Sequence, residues 1–173
     1  HAPGVQRNWA RPQVACDPRF RDTLVAWSRP LAFTYQAKPR RKYRVAFGLI
    51  EGYHAEPGVR PLQIRIEGQT VRTVDLVGEF GRNQPVVLCF EAEDRNGNGL
   101  LEMAVHSPDG AADRNTILSA LWVFDAGGAP TESVIREGKA DEKALAVADI
   151  NTLAHQSNAV RLLFEAAALA PGQ

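Results

Sequence analysis

The sequence predicts an all-β fold, a jelly-roll β-sandwich, on three observations. Short runs of alternating apolar and polar residues recur along the first 125 positions. Clusters of Gly, Pro, Asn and Asp separate these runs at nearly regular spacing. No long helical period interrupts the pattern before residue 125.

Residues 1–22 are rich in Pro and Arg and read as an irregular lead-in, with Trp9 and Phe20 as anchors. Thr23 to Trp27 and Leu31 to Tyr35 alternate as short strands around Ser28-Arg29-Pro30. Lys38 to Lys42 is a charged turn, read as a solvated hairpin tip. Tyr43 to Ile50 places Tyr43, Val45, Phe47 and Leu49 on one face of a strand. Leu62 to Ile66 alternates likewise, and Glu67-Gly68-Gln69 makes a turn. A strand from Thr70 to Leu76 and a loop through Gly78 and Gly81 lead to Val86–Ala92, where Val86-Val87-Leu88-Cys89-Phe90 reads as core. A turn from Asp94 to Gly99 precedes the strand ending at His106, and a polar loop, Ser107 to Asn115, leads into one strand from Thr116 to Phe124. Val45, Phe47, Ile64, Leu88, Leu121 and Val123 are the expected core.

Beyond the Gly-rich stretch Ala126–Pro130, Val160 to Leu169 suits a helix by composition and a strand by alternation, with the balance toward strand. The expected organisation is one domain over 1–173, with 131–173 an extension packed on the sandwich. About 45 residues are too few for an independent core without staples.

The 20 basic and 20 acidic residues cancel. No basic stripe interleaved with aromatics appears, which argues against nucleic acid as a partner. No apolar run approaches the ~20 residues of a membrane-spanning helix. Whether Cys16 and Cys89 pair stays open, because connectivity cannot be read from sequence.

The loop Glu51 to Pro61 is the most informative segment, since it mounts Tyr53, His54 and Arg60 at the end of two strands. Tyr53 offers an apolar ring and a hydroxyl together, as the mixed CH and OH surface of a sugar requires. Arg60 suits a sugar hydroxyl or uronate carboxylate, or equally a surface ion pair with Glu51 or Glu56. Asp113, Arg114 and Asn115 supply an acceptor, a planar donor fork and an amide, a mixture that suits vicinal hydroxyls. Asp94, Asn96 and Asn98, followed by Gly99, resemble the first half of a calcium loop, and structural calcium is the one cofactor considered. The bidentate Glu is missing, Val105 standing at position twelve, and Asn-Gly repeats are also strong hairpin signals. No Gly-x-Ser-x-Gly, His-Glu-x-x-His or phosphate-cradling loop is present, and the four His residues have no metal-ligand spacing.

The order of elements from Tyr43 to Phe124 resembles the malectin family of carbohydrate-binding β-sandwiches, of the galactose-binding jelly-roll type. The resemblance rests on Tyr43 to Glu51 followed by Tyr53, on Gly58-x-Arg60 and on Leu62-x-Ile64-x-Ile66-x-Gly68. It continues through Val74-Asp75 with Gly78, Gly99-Leu100-Leu101-Glu102 and Ile117 to Val123, and covers about half of the chain. It implies a non-catalytic sugar-binding module in which loop aromatics stack on glucose-type rings beside an acidic side chain. Tyr53 falls on such an aromatic position, His54 stands where a second aromatic is common, and Asp113 fits the acidic one. Trp27 and Tyr35 are looser counterparts of the family's N-terminal aromatics. The expected partner is an oligo- or polysaccharide, in a module cut from a larger extracytoplasmic protein, secreted or periplasmic. The alternative is a structural spacer that packs against a neighbouring catalytic domain. A binding module should leave Tyr53 and Trp27 or Tyr35 exposed around a shallow cleft; a spacer should show a flat apolar patch.

Overall fold

The computed structural model describes residues 3–127, 131–148 and 150, and the backbone of 161–164. The strands are β1 (Gly4–Gln6), β2 (Thr23–Ala26), β3 (Leu31–Gln36), β4 (Lys42–Leu49), β5 (Leu62–Ile66) and β6 (Gln69–Val74). They continue with β7 (Val86–Glu93), β8 (Leu100–His106), β9 (Thr116–Leu118), β10 (Ala120–Asp125), β11 (Ala146–Val147) and β12 (Arg161–Phe164). Two short helices are α1 (Leu76–Phe80) and α2 (Glu132–Arg136). The strands form a four-stranded sheet, β11-β10-β4-β7, a five-stranded sheet, β12-β3-β8-β5-β6, and a three-stranded corner, β1-β2-β9. Pairing is antiparallel except between β3 and β12. The protein is an all-β sandwich.

The alternation along β4 decides the packing. Tyr43, Val45, Phe47 and Leu49 point between the sheets, where they meet Phe33, Ile64, Leu101 and Val105 of the five-stranded sheet and Leu121 and Val123 of β10. The opposite face of the same sheet is also covered. Ala46, Trp122 and Phe124 pack there under Phe20 of the lead-in, Ile135 of α2 and Ala140. Strands buried on both faces read as near-continuous apolar runs, which is how Ala120 to Phe124 looks.

Several expectations need correction. Thr116 to Phe124 is two strands rather than one: β9 pairs with β2 and β10 with β4, so the chain changes sheets at Ser119. Alternation cannot reveal such a crossing, because both halves stay buried. The charged segment after β3 is no hairpin tip, since β3 and β4 lie in different sheets; Arg41 pairs with Asp125 there at 2.5 Å. The Gly78–Gly81 loop is helix α1, closed by Gly81 at φ 96°, whose N–H donates to the carbonyls of Leu76 and Val77. Cys89 is exposed on the outer face of β7, the sheet edge, while Leu88 faces inward but only half-buried. Both cysteines are free thiols. The lead-in is less irregular than expected, for it contains β1 and a 3-10 turn over Pro18–Arg21 that buries Phe20 completely. Within Val160–Leu169, Arg161–Phe164 is strand, and the rest of that segment lies outside the described residues.

Core truncations should separate these environments. Phe47→Ala should cost about 3–5 kcal/mol, Leu88→Ala clearly less, and Cys89→Ser under about 0.5 kcal/mol. Urea denaturation of the three variants measures the ranking. A cost at Leu88 equal to that at Phe47 would contradict the edge position of β7.

Candidate binding cleft at the loop end of the sandwich

Glu51 lies two residues beyond the end of β4 and is almost fully buried. Its Oε1 accepts the backbone N–H groups of Tyr53 (2.8 Å) and His54 (3.1 Å), so the loop turns back onto its own first carboxylate. Its Oε2 accepts from Arg60 Nη1 at 2.7 Å. The turn needs Gly52. A Cβ there would lie 2.4 Å from the Trp9 carbonyl oxygen and 2.8 Å from Ala10 Cα, so only glycine lets the lead-in pass this closely.

The loop between β8 and β9 closes the other side. Asp113 N–H donates to the Val59 carbonyl (2.9 Å), and Ser107 Oγ donates to the Asp113 carbonyl (3.0 Å). Asp113 Oδ1 accepts the Asn115 N–H at 2.8 Å. Its Oδ2 receives both Arg60 Nη2 (2.5 Å) and His54 Nε2 (2.7 Å). Asn115 Oδ1 in turn accepts the Ser28 N–H at 3.1 Å, which fixes the turn beside Trp27. Arg60, only 6% exposed, therefore bridges two carboxylates from two loops. Burial pushes the Asp113 carboxyl upward, but the bonds from His54, the Asn115 N–H and Arg60 outweigh it and hold the group below its ordinary range.

Aromatic rings cover this polar floor. Trp9 stacks on Tyr53 with centroids 5.9 Å apart and planes 18° from parallel, and His54 meets the Tyr53 ring edge-on at 4.9 Å. The Arg60 guanidinium sits 5.4 Å from the Trp9 ring centroid, within cation–π range. Tyr53 remains 66% exposed and Trp27 39%. Trp9, Trp27, Tyr53, Arg60, Asp113 and Asn115 together line a cleft of about 400 Å³.

The expected residues Tyr53, Arg60, Asp113 and Trp27 thus meet at one cleft, with His54 bonded to Asp113. Arg60 pairs with Glu51 as one reading had it, but buried rather than at the surface. Arg114 does not line the cleft; its Nη2 pairs with exposed Asp109 at 2.7 Å. Tyr35 needs correction: it is core, 5% exposed, with its ring 5.5 Å from that of Tyr43. Its place on the inward face of β3 follows the same alternation as Leu31 and Phe33, and that alternation was the available signal. Trp9 is the cleft residue the sequence did not assign. The Pro- and Arg-rich lead-in has no periodicity to say where its aromatic would land.

The Asp94–Gly99 loop closes on itself. Asp94 Oδ1 and Oδ2 accept the N–H groups of Gly97 and Gly99, each at 2.8 Å, and Asn96 and Asn98 accept those of Asn98 (2.9 Å) and Leu100 (2.8 Å). These are side-chain-to-backbone turns of the kind Asp and Asn favour. Among the described residues no cluster of three or more His, Cys, Asp or Glu could hold a metal.

No family model matches the chain, and no curated protein does. Solved structures do. The ANXUR2 extracellular domain from Arabidopsis thaliana superposes with TM-score 0.60 at 14% identity, over 72% of this chain and 39% of that one. The plant receptor-like kinase ANX2 gives 0.59 at 11% identity, over 96% and 41%. The structure of plant peptide RALF23 in complex with FER and LLG2 gives 0.58 at 12%, over 71% and 38%. The chain spans less than half the length of these structures, and the likeness is one of fold. Their ectodomains are malectin-like, so the resemblance read from the sequence holds at fold level.

Two outcomes follow from the Arg60 bridge. Arg60→Met leaves two carboxylates without their cation and should cost about 3–5 kcal/mol, part of it recovered in Glu51→Gln/Arg60→Met. Denaturant unfolding measures both, and a neutral single variant would contradict a buried bridge. Because the folded Asp113 carboxyl sits below its unfolded value, its contribution is full above about pH 4 and is lost as pH falls through the folded pKa. Asp113→Asn should flatten part of this acid limb, while Asp125 and Asp141, also held low by arginine, keep the rest. A calcium chelator should leave the melting temperature unchanged, because backbone N–H groups already brace the loop oxygens; a drop would support structural calcium there.

Proposed function

We propose that this chain is a non-catalytic carbohydrate-binding domain of an extracytoplasmic protein, recognising a glycan in the Tyr53 cleft. One observation carries the reading: exposed Tyr53, with Trp9 and Trp27, surrounds a polar floor already held in place by Arg60, Asp113 and Asn115. Tyr53 presents ring surface to sugar C–H groups, and the floor offers donors and acceptors to hydroxyls. The floor argues for binding rather than hydrolysis. Glu51 and Asp113, which a glycosidase reading would pair, share one guanidinium and accept backbone N–H groups, so both are engaged in holding the loops. Two carboxylates against one guanidinium make the floor a poor seat for an anion, which favours a neutral sugar ring there.

Affinity should fall in the micromolar to millimolar range, about −8 to −4 kcal/mol, because competing water cancels most of the hydrogen-bond energy. Tyr53→Ala should weaken binding at least about tenfold, and Tyr53→Phe less, since the ring survives. Titration calorimetry against the best hit of a glycan array decides it. An unchanged affinity in Tyr53→Ala would move the site elsewhere.

A second reading has the chain as an interaction domain that packs against a neighbouring protein or catalytic domain. It is favoured by the fold likeness to FER, which was solved in complex with RALF23 and LLG2. Glycan binding abolished by Tyr53→Ala separates the two, since a packing domain binds no glycan.

A further inference from the structure

On the far side of the Trp9–Tyr53 pair lies a second cleft of about 510 Å³, lined by those rings together with Asn8, Arg11, Arg82 and Asn83. A third, of about 520 Å³, shares the lining residues Asn8 and Arg11, and there Arg21 joins them. No carboxylate lines either one. We propose that these two adjoining clefts form an anionic groove, a subsite which takes the carboxylate or sulfate of an acidic sugar residue next to the ring seated in the Tyr53 cleft. The proposal rests on the carbohydrate reading above.

Three observations carry it. First, Arg11, Arg21 and Arg82 have no carboxylate partner among the described residues, whereas Arg60 is consumed by Glu51 and Asp113, and Arg114 by Asp109. Of the arginines that line the clefts on the two sides of the Trp9–Tyr53 pair, those without a carboxylate are therefore the ones in the groove. Second, the Arg82 guanidinium is aimed by a backbone carbonyl and the Arg11 main chain is tied to the same segment. Arg82 donates Nε and Nη2 to the Gly52 carbonyl (3.0 and 2.9 Å), leaving Nη1 unengaged, and the Arg11 N–H donates to Asn83 Oδ1 at 3.0 Å. Asp22, a carboxylate of the lead-in, is already bonded to the Asn8 N–H (2.9 Å) and faces Arg7 at 3.6 Å. Third, the chain carries 20 basic and 20 acidic residues, so the positive groove arises from placement and not from an overall excess. The shared aromatic pair makes an acidic glycan the fitting occupant. A single chain can lay one ring on Tyr53 and carry its charge across to Arg11 and Arg82.

The test is calorimetric titration of the whole chain with an oligo-β-glucuronate, its carboxyl-reduced neutral counterpart, a sulfated oligosaccharide of the same backbone, and poly-glutamate of similar length. The uronate or the sulfated sugar should bind at least about tenfold more tightly than the neutral one, and the gap should shrink with added salt. Arg11→Gln/Arg21→Gln, and separately Arg82→Gln, should each reduce charged-sugar affinity about ten- to hundredfold, with the neutral sugar changed by less than about twofold. Circular dichroism confirms that the variants are folded. Equal affinity for charged and neutral sugars, or charged-sugar affinity that survives both variants, overturns the subsite while leaving the Tyr53 cleft standing. Poly-glutamate binding as tightly, with the same arginine dependence, overturns the sugar assignment in favour of an acidic protein segment. No binding by any sugar refutes the carbohydrate reading itself.

Discussion

The Arg60 guanidinium is the contact on which the loop end of this sandwich depends. It joins a carboxylate from the β4–β5 loop to one from the β8–β9 loop, and its face packs against Trp9 of the lead-in. Three segments distant in sequence therefore meet at one side chain. Burying one cation with two carboxylates is costly by itself. The cost is offset because the carboxylate oxygens find further donors in Tyr53, His54 and Asn115. The same donors fix the backbone that carries Tyr53, so the bridge and the aromatic platform form together. A cleft assembled this way is preorganised, and little ordering entropy remains to oppose a ligand.

The platform is also tied to the second core. Ala10 and Phe20 lie in the layer that covers the outer face of β4 and β10, and Trp9 packs against both apolar clusters. Arg19 clamps Asp141 with two hydrogen bonds of 2.9 and 2.5 Å, and the Trp122 indole N–H donates to the same carboxylate at 2.9 Å. The lead-in is thereby held from below by apolar burial and from the side by a bidentate ion pair. Loosening that layer would shift Trp9, and with it the ring stacked on Tyr53. Stability of the outer core and geometry of the cleft are one problem in this fold.

Much of the sandwich was legible in sequence because alternation reports a strand whose one face is buried. Tyr43 to Leu49 and Leu62 to Ile66 gave their inward residues correctly for that reason. Alternation is silent on which sheet a strand joins, so the break at Ser119 and the crossing between β3 and β4 were hidden. It is equally silent on edges, and Cys89 looked like core because nothing local distinguishes an outer-face residue of β7 from a central one. At the cleft, Tyr53, Arg60 and Asp113 were recognisable as chemistry on loops. Trp9 was not, since an aperiodic segment takes its position from tertiary contacts alone, here the close passage over Gly52.

The two sides of the Trp9–Tyr53 pair differ in charge for a structural reason. On one side the loops after β4 and β8 each contribute a carboxylate, and Arg60 is needed to let them approach. On the other, the lead-in contributes Arg11 and Arg21 with no carboxylate among the lining residues, and the Gly52 carbonyl orients Arg82 by accepting two of its N–H groups. A carbonyl carries no net charge, so it aims that guanidinium without neutralising it. Exposed guanidinium groups held like this add little to folding, for even well-paired surface ions contribute only about 0–1 kcal/mol. Their long side chains are consequently released from the demands of the core. What distinguishes the two clefts is then the partner each arginine was given: carboxylates on the floor of one, a backbone oxygen or open groove in the other.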